Sequence, residues 1–224
     1  MGGMRPLSSG YFHLADFLEA ALLGACGLSW VSALLSYAGY RNAIGWREDP
    51  DTFGEGSGIA IDFLLTMAHL GLHLGLVGVG ALFIWWLYRG LGDPRLGGTS
   101  LAGTKPLARH WAITGWLIPV ANLVLPFLMV RQLWQGAQLR RGQPHRVPVT
   151  MALWWLSFLA SLWVTGMWFV NRDAFASAAA TGSFDPLVAY YSITTIKFVL
   201  IGFAALFATV TVHRTTESLA HMGS

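Results

Sequence analysis

The sequence predicts an all-α integral membrane protein with four transmembrane helices and one further proline-broken helix that is re-entrant or interfacial. Three observations carry this. Of the 224 residues, 54% are hydrophobic and only 11% are charged, where a soluble domain carries about 25% charged residues. Four stretches, about 16–40, 59–88, 147–170 and 187–212, are each apolar and long enough to cross a hydrocarbon layer. The fifth, Trp111–Gln135 (WAITGWLIPVANLVLPFLMVRQLWQ), has an apolar centre of 18 residues, Ile113 to Val130, but holds Pro119 and Pro126 seven apart. Each proline removes an N–H and clashes with the preceding turn. Broken backbone is tolerated at membrane depth only where protein or trapped water covers it, so this segment belongs inside a bundle. The alternative is a fifth, kinked span.

The remaining composition bounds the chain further. Mean hydropathy is +0.53, and four or five spans with short loops leave no room for a separate soluble domain. Residues 1–224 therefore read as one polytopic membrane domain. Eleven tryptophans include several near the ends of spans, as an aromatic belt requires. Cys26 is the single cysteine, so no intrachain disulfide or redox motif exists.

The first span is preceded by a polar start with Arg5 and His13. Asp16 and Glu19 interrupt the apolar run and no clear small-x-small site follows, which argues against a cleaved signal peptide. They are most simply first-turn acids favoured by the helix dipole, and Glu19 can also pair with Arg89 or His213. An acidic loop from Arg41 to Gly58 is punctuated by Pro50, Gly54, Gly56 and Gly58. The second span has two faces. Asp62, Thr66, His69 and His73 form a polar stripe at helical spacing, while Gly71, Gly75 and Gly78 form a small-residue face on the other side. Those two faces predict a central helix with tight glycine packing. A basic, Gly-rich linker follows (Arg89 to His110, including Arg95, Lys105, Gly97, Gly98 and Gly103). After the broken segment, a basic run extends to Arg146. The next span carries Ser157, Ser161 and Thr165 as a small polar stripe, then comes the loop Asn171 to Pro186. The last span holds Lys197 in its apolar interior, and a polar tail runs from His213.

Loop arginines and lysines choose between the two forms of the broken segment. If it crosses, the two faces carry six and seven, with no bias. If it enters and leaves on one side, that side collects ten (Arg5, Arg89, Arg95, Lys105, Arg109, Arg131, Arg140, Arg141, Arg146 and Arg214) and the other keeps Arg41, Arg47 and Arg172. Ten against three favours a same-side segment in a plasma (inner) membrane, with both termini cytoplasmic.

Trp86, Tyr88 and Arg89 close the second span; Trp116, Pro119, Asn122, Leu123 and Pro126 give a W-x-x-P-x-x-N-L-x-x-P run; Arg131, Leu133 and Trp134 follow. In these residues the chain resembles the bacterial domain of unknown function 4328 family, with matching hydropathy over most of its length. The resemblance implies a multi-span membrane protein of an actinobacterium or similar high-GC organism. It implies no activity. Where members have an Asn-Ala-Arg-like stretch after the second span, this chain has Asp93-Pro94-Arg95. The His69/His73 pair and Lys197 are not carried by the resemblance and are read on their own.

Two histidines at i, i+4 can share a metal, but no glutamate lies between His69 and His73, and Asp62 is seven residues, roughly 10 Å, away along the axis. The bland reading, a hydrogen-bonded or cavity-lining pair, is favoured. Lys197 is about ten residues into its span, as His69 is into its own, which puts both roughly 15 Å deep. An ammonium there should either find a partner or lose its proton, and the candidate partners are Asp62, His69, His73, Asn122 or a bound ligand or water touching them. Asn122 otherwise bonds the backbone freed by the prolines. Arg131, Arg140, Arg141 and Arg146 suit anionic lipid headgroups at the cytoplasmic face; as they are needed for orientation, nucleic acid is not an expected partner. No cofactor is the default, and a metal on His69 and His73 is the alternative. Three function classes follow. The favoured one is a non-enzymatic accessory or a lipid- or small-molecule-binding bundle, with a second copy or another membrane protein as possible partner. The others are an intramembrane enzyme using His69, His73 and Lys197, and a small transporter or channel. No internal repeat and only one broken helix speak against transport.

Overall fold

A computed structural model describes residues 9–49, 55–93, 106–142, 146–181 and 184–220. Among them every regular element is a helix: α1 (Ser9–Glu48), α2 (Glu55–Leu91), α3 (Trp111–Leu117), α4 (Pro119–Asn122), α5 (Leu125–Arg140), α6 (Val149–Thr181) and α7 (Phe184–Ala220). Four of them, α1, α2, α6 and α7, are long and apolar enough to cross a membrane. All four outrun the expected spans. The first continues through Arg41 to Glu48 because the sequence offers no proline between Pro6 and Pro50, and α6 carries Asn171 to Asp173 as helix. Arg5, Pro50, Gly54, Arg95, Gly97, Gly98, Gly103, Lys105, His145 and His221 lie outside the described residues.

The broken segment is three helices. Ile118, before Pro119, is extended (φ −95°, ψ 113°), as the clash of a proline ring with the preceding residue dictates. Both prolines then sit at the first or second position of a new helix, where a missing N–H costs nothing. Between α3 and the stretch from Val120 to Leu139 the chain turns by 117°. Gly115 permits the return, since a Cβ there would lie 3.3 Å from Leu125 Cβ. Gly142, with φ at +64°, ends α5 in the left-handed conformation that glycine adopts without strain.

The contacts resolve two compact units. One comprises residues 1–23, 77–155 and 206–224; the other 24–76 and 156–205. The first unit contains the broken segment. Its aromatic core joins Phe83 to Trp154 (ring centroids 5.4 Å) and Trp116 (6.1 Å), and stacks Tyr11 on Trp86. The Trp155 indole N–H donates to Leu123 carbonyl oxygen at the break (3.2 Å), so backbone freed by the prolines is satisfied by protein. The Gln132 side chain accepts from the Leu107 N–H at 2.9 Å, which ties α5 to the chain entering α3. His213 is the partner of Glu19, with Nδ1 to Oε2 at 3.1 Å.

In the second unit four helices pack with a definite register. Asp62 meets Tyr191 and His69 meets Phe198; the numbers rise together, so α2 and α7 run parallel. Phe175 meets Tyr190 while Trp168 meets Lys197; here they run oppositely, so α6 is antiparallel to α7. The clusters Ala43–Leu65–Tyr191 and Ala33–Leu72–Phe198 set α1 antiparallel to both α2 and α7. Hence α2 leaves this unit at the end where α6 enters it.

Helix α2 is not the most enclosed helix, contrary to the sequence expectation. Within its most apolar window 28% of residues are buried, against 44% for α7. Nothing lies within 4 Å of a Cβ at Gly75 or Gly78, and Gly71 meets only Leu28 at 3.7 Å. The reason is geometric. The stripe Leu65, His69 and Leu72 packs inward, and the glycines, on the opposite side of the same helix, are thereby turned outward. The close approaches are elsewhere: a Cβ at Gly39 would meet the Tyr191 ring, and one at Gly202 would lie 3.1 Å from Trp30 Nε1.

Candidate functional site

The second unit brings two polar stripes face to face. On α2 the stripe is Asp62, Thr66, His69 and His73, of which Asp62 and His69 meet α7 while Thr66 and His73 are exposed; on α7 it is Tyr190, Tyr191, Thr194 and Lys197 with Phe198. Both follow the three-and-four spacing of one helix face, and parallel packing matches them level by level. At the first level, the Tyr191 hydroxyl donates to Asp62 Oδ1. Thr66 bonds back to the Asp62 carbonyl at 2.8 Å and faces outward.

Two helical turns further on, the His69 ring lies against Phe198, with centroids 4.5 Å apart. Lys197 is 6% exposed. Its Nζ sits 4.5 Å from the Phe198 ring centroid and 5.6 Å from that of Trp168 on α6. The same Phe198 ring is the one that lies against His69, so the two residues share it. The ammonium therefore lies where α2, α6 and α7 meet. Among the described residues it forms no ion pair with a carboxylate. Asp62, the acid on the facing stripe, is separated from His69 by seven residues, roughly 10 Å along the axis, and is held by Tyr191. Each aromatic face returns about 0.5–2 kcal/mol to a cation, so the two rings offset much of the about 2.5–3.5 kcal/mol that a lysine at the centre of a bilayer costs, but neither ring neutralises its charge.

His69 contributes a second unfulfilled group. Its Nε2 is buried and has no hydrogen-bond partner among the described residues, whereas such groups are nearly always paired. His73 differs: it is exposed, and its Nδ1 donates to the His69 carbonyl oxygen at 2.6 Å. The two rings stand 6.3 Å apart and nearly perpendicular. Among the described residues no group of three or more His, Cys, Asp or Glu side chains is arranged to hold a metal. Two imidazoles alone do not complete a tetrahedral zinc site.

Of the residues singled out in the sequence, His69 and Lys197 come together, Asp62 lies on the same face beside Tyr191, and His73 turns outward. Asn122 belongs to the other unit. There its N–H donates to Ile118 at 2.8 Å, and its buried Oδ1 has no partner among the described residues. Tyr191, Phe198 and Trp168 were not anticipated. The spacing of Tyr191, Thr194 and Lys197 was readable, but its meaning depends on α2 and α7 running parallel.

Fold and site together define a multi-pass helical membrane protein with a buried lysine among aromatic rings that has no carboxylate partner among the described residues. Residues 58–217 match the family model described as Domain of unknown function (DUF4328), and the chain belongs to that family. The match runs from the start of α2 almost to the end of α7, and so includes the broken segment and both polar stripes. No curated protein and no solved structure matches the chain.

Proposed function

We propose that the protein is a non-enzymatic bundle of the bacterial plasma membrane that binds a lipid or other small molecule where α2, α6 and α7 meet. One observation carries the reading: Lys197, 6% exposed, has aromatic neighbours but no carboxylate partner among the described residues. His69 Nε2, buried and without a hydrogen-bond partner among the described residues, belongs to a ring that packs on the same Phe198 and supports the same conclusion. A buried charge of this kind in a membrane helix marks a function-bearing position by default.

The topology that goes with this reading has four spans, with both termini cytoplasmic and the chain from α3 to α5 returning to the side it left. Two independent lines support it. The ten-to-three split of loop arginines and lysines is one. The other is the register of the second unit: a fifth crossing between α2 and α6 would make α2 and α7 antiparallel, whereas they run parallel. The basic end of α5, with exposed Arg141 and Arg146 beyond it, then faces anionic headgroups in the cytoplasmic leaflet.

The test is what the protein carries. Wild type and Lys197→Met, purified in the same mild detergent, are extracted and compared by mass spectrometry. One class of molecule, near one per chain, should be enriched on wild type and depleted on the variant. Identical extracts would refute the reading.

A further inference from the structure

We propose that the site holds the head of a singly charged anionic amphiphile, a carboxylate or phosphodiester on an apolar tail, with Lys197 as counter-ion and His69 Nε2 as hydrogen-bond donor. The proposal deepens the ligand-binding reading above and rests on it.

The charge argument comes first. One buried ammonium, with no carboxylate partner among the described residues, balances one negative charge. A phosphate monoester carries roughly −1.5 to −2 at neutral pH and would leave excess charge at apolar depth. A neutral head would leave the ammonium as it is, and a cation would be repelled. The donor argument is independent. In the Nε2–H tautomer, His69 presents a buried N–H with no acceptor among the described residues. Its outward neighbour His73 is engaged with the His69 carbonyl and does not compete. A head with two or more oxygens can accept from both Lys197 and His69 at once, which a single-acceptor head such as an alcohol does less well. Asp62, the one nearby acid on the facing stripe, is engaged by Tyr191 one level away, so it does not pre-empt the cation. The tail follows from depth: Lys197 lies about ten residues into an apolar span, so a head that reaches it must be carried through the hydrocarbon layer.

The experiment is equilibrium binding of radiolabelled palmitate to the full chain in dodecyl maltoside micelles. Phosphatidylglycerol, palmitate methyl ester and hexadecyl phosphate serve as competitors. Saturable binding of about one anion per chain is expected, with the methyl ester and the monoester phosphate each at least about tenfold weaker, the scale of one lost charge-assisted contact. Whether palmitate or phosphatidylglycerol displaces the other at lower concentration tells a carboxylate from a phosphodiester. Lys197→Met should weaken binding about tenfold or more while Lys197→Arg retains most of it, and His69→Phe should weaken it several-fold. If palmitate and its methyl ester bind equally, and both depend on Lys197, the anion class is wrong although the ligand site stands. If nothing binds saturably, or Lys197→Met binds as wild type does, both the site and the reading beneath it fail. The methyl-ester comparison uses wild-type protein alone, so a variant that folds poorly cannot shelter the proposal.

Discussion

Replacing Gly39 by alanine sets a methyl carbon against the Tyr191 ring, with Cε1 at 2.5 Å and Cδ1 at 2.8 Å. Ordinary carbon contacts are about 3.5–4.0 Å, so ring or helix must move by about 1 Å. The ring cannot simply swing aside: it is buried, and its hydroxyl is held by Asp62. Overpacking of this kind costs about 1–3 kcal/mol. Glycine-to-alanine also improves helix propensity by about 1 kcal/mol, and the same substitution at Gly75, where nothing lies within 4 Å, isolates that gain. The difference between Gly39→Ala and Gly75→Ala is therefore the packing cost alone. For a chain of this size it corresponds to about 2–4 °C per kcal/mol in detergent melting, with Gly39→Ala the less stable. In a Tyr191→Phe background the tether to Asp62 is gone, and the gap should narrow by about 0.5 kcal/mol or more. Equal melting temperatures for Gly39→Ala and Gly75→Ala would refute the close approach of α1 and α7.

Trp155→Phe keeps an aromatic ring but removes the bond to the Leu123 carbonyl, and should cost about 1–3 kcal/mol, the scale of an orphaned backbone group; unchanged stability would mean that water satisfies the break instead. Glu19→Gln should change stability by less than about 1 kcal/mol, because the pair with His213 is partly exposed; a larger loss in denaturant titration would place that pair in a drier setting.

Much of this architecture was legible in the amino acids, because the bilayer restricts what a span can be. Twenty or so apolar residues announce a span, and Pro119 and Pro126 announce a break. The arginines also expressed a side preference before any packing was known. What was not legible was which face of a helix meets which neighbour. Gly71, Gly75 and Gly78 read as a packing face, yet the glycines that admit a neighbour are Gly39 and Gly202, each beneath an aromatic ring from the opposing helix. A glycine's role depends on the partner's side chain, which lies more than a hundred residues away in the chain. The site divides in the same way. Lys197 stood out because a lysine in an apolar run is costly, and His69 because it repeats at helical spacing with Asp62. Tyr191, Phe198 and Trp168 did not, since aromatic residues are common in any span and only the parallel register gives these their place.

The proposed topology joins the parallel register of α2 and α7 to a broken segment that returns to the side it left. Arg109→Cys and Arg146→Cys, both at exposed positions flanking the segment, can be labelled singly in a Cys26→Ser background with a membrane-impermeant maleimide. Intact spheroplasts and inverted vesicles present the two faces separately. Both cysteines should react only in inverted vesicles, from the cytoplasmic side. Reaction of one from each side would make the segment a fifth span and set α2 and α7 antiparallel. The pairing of His69 with Lys197 would then be dissolved.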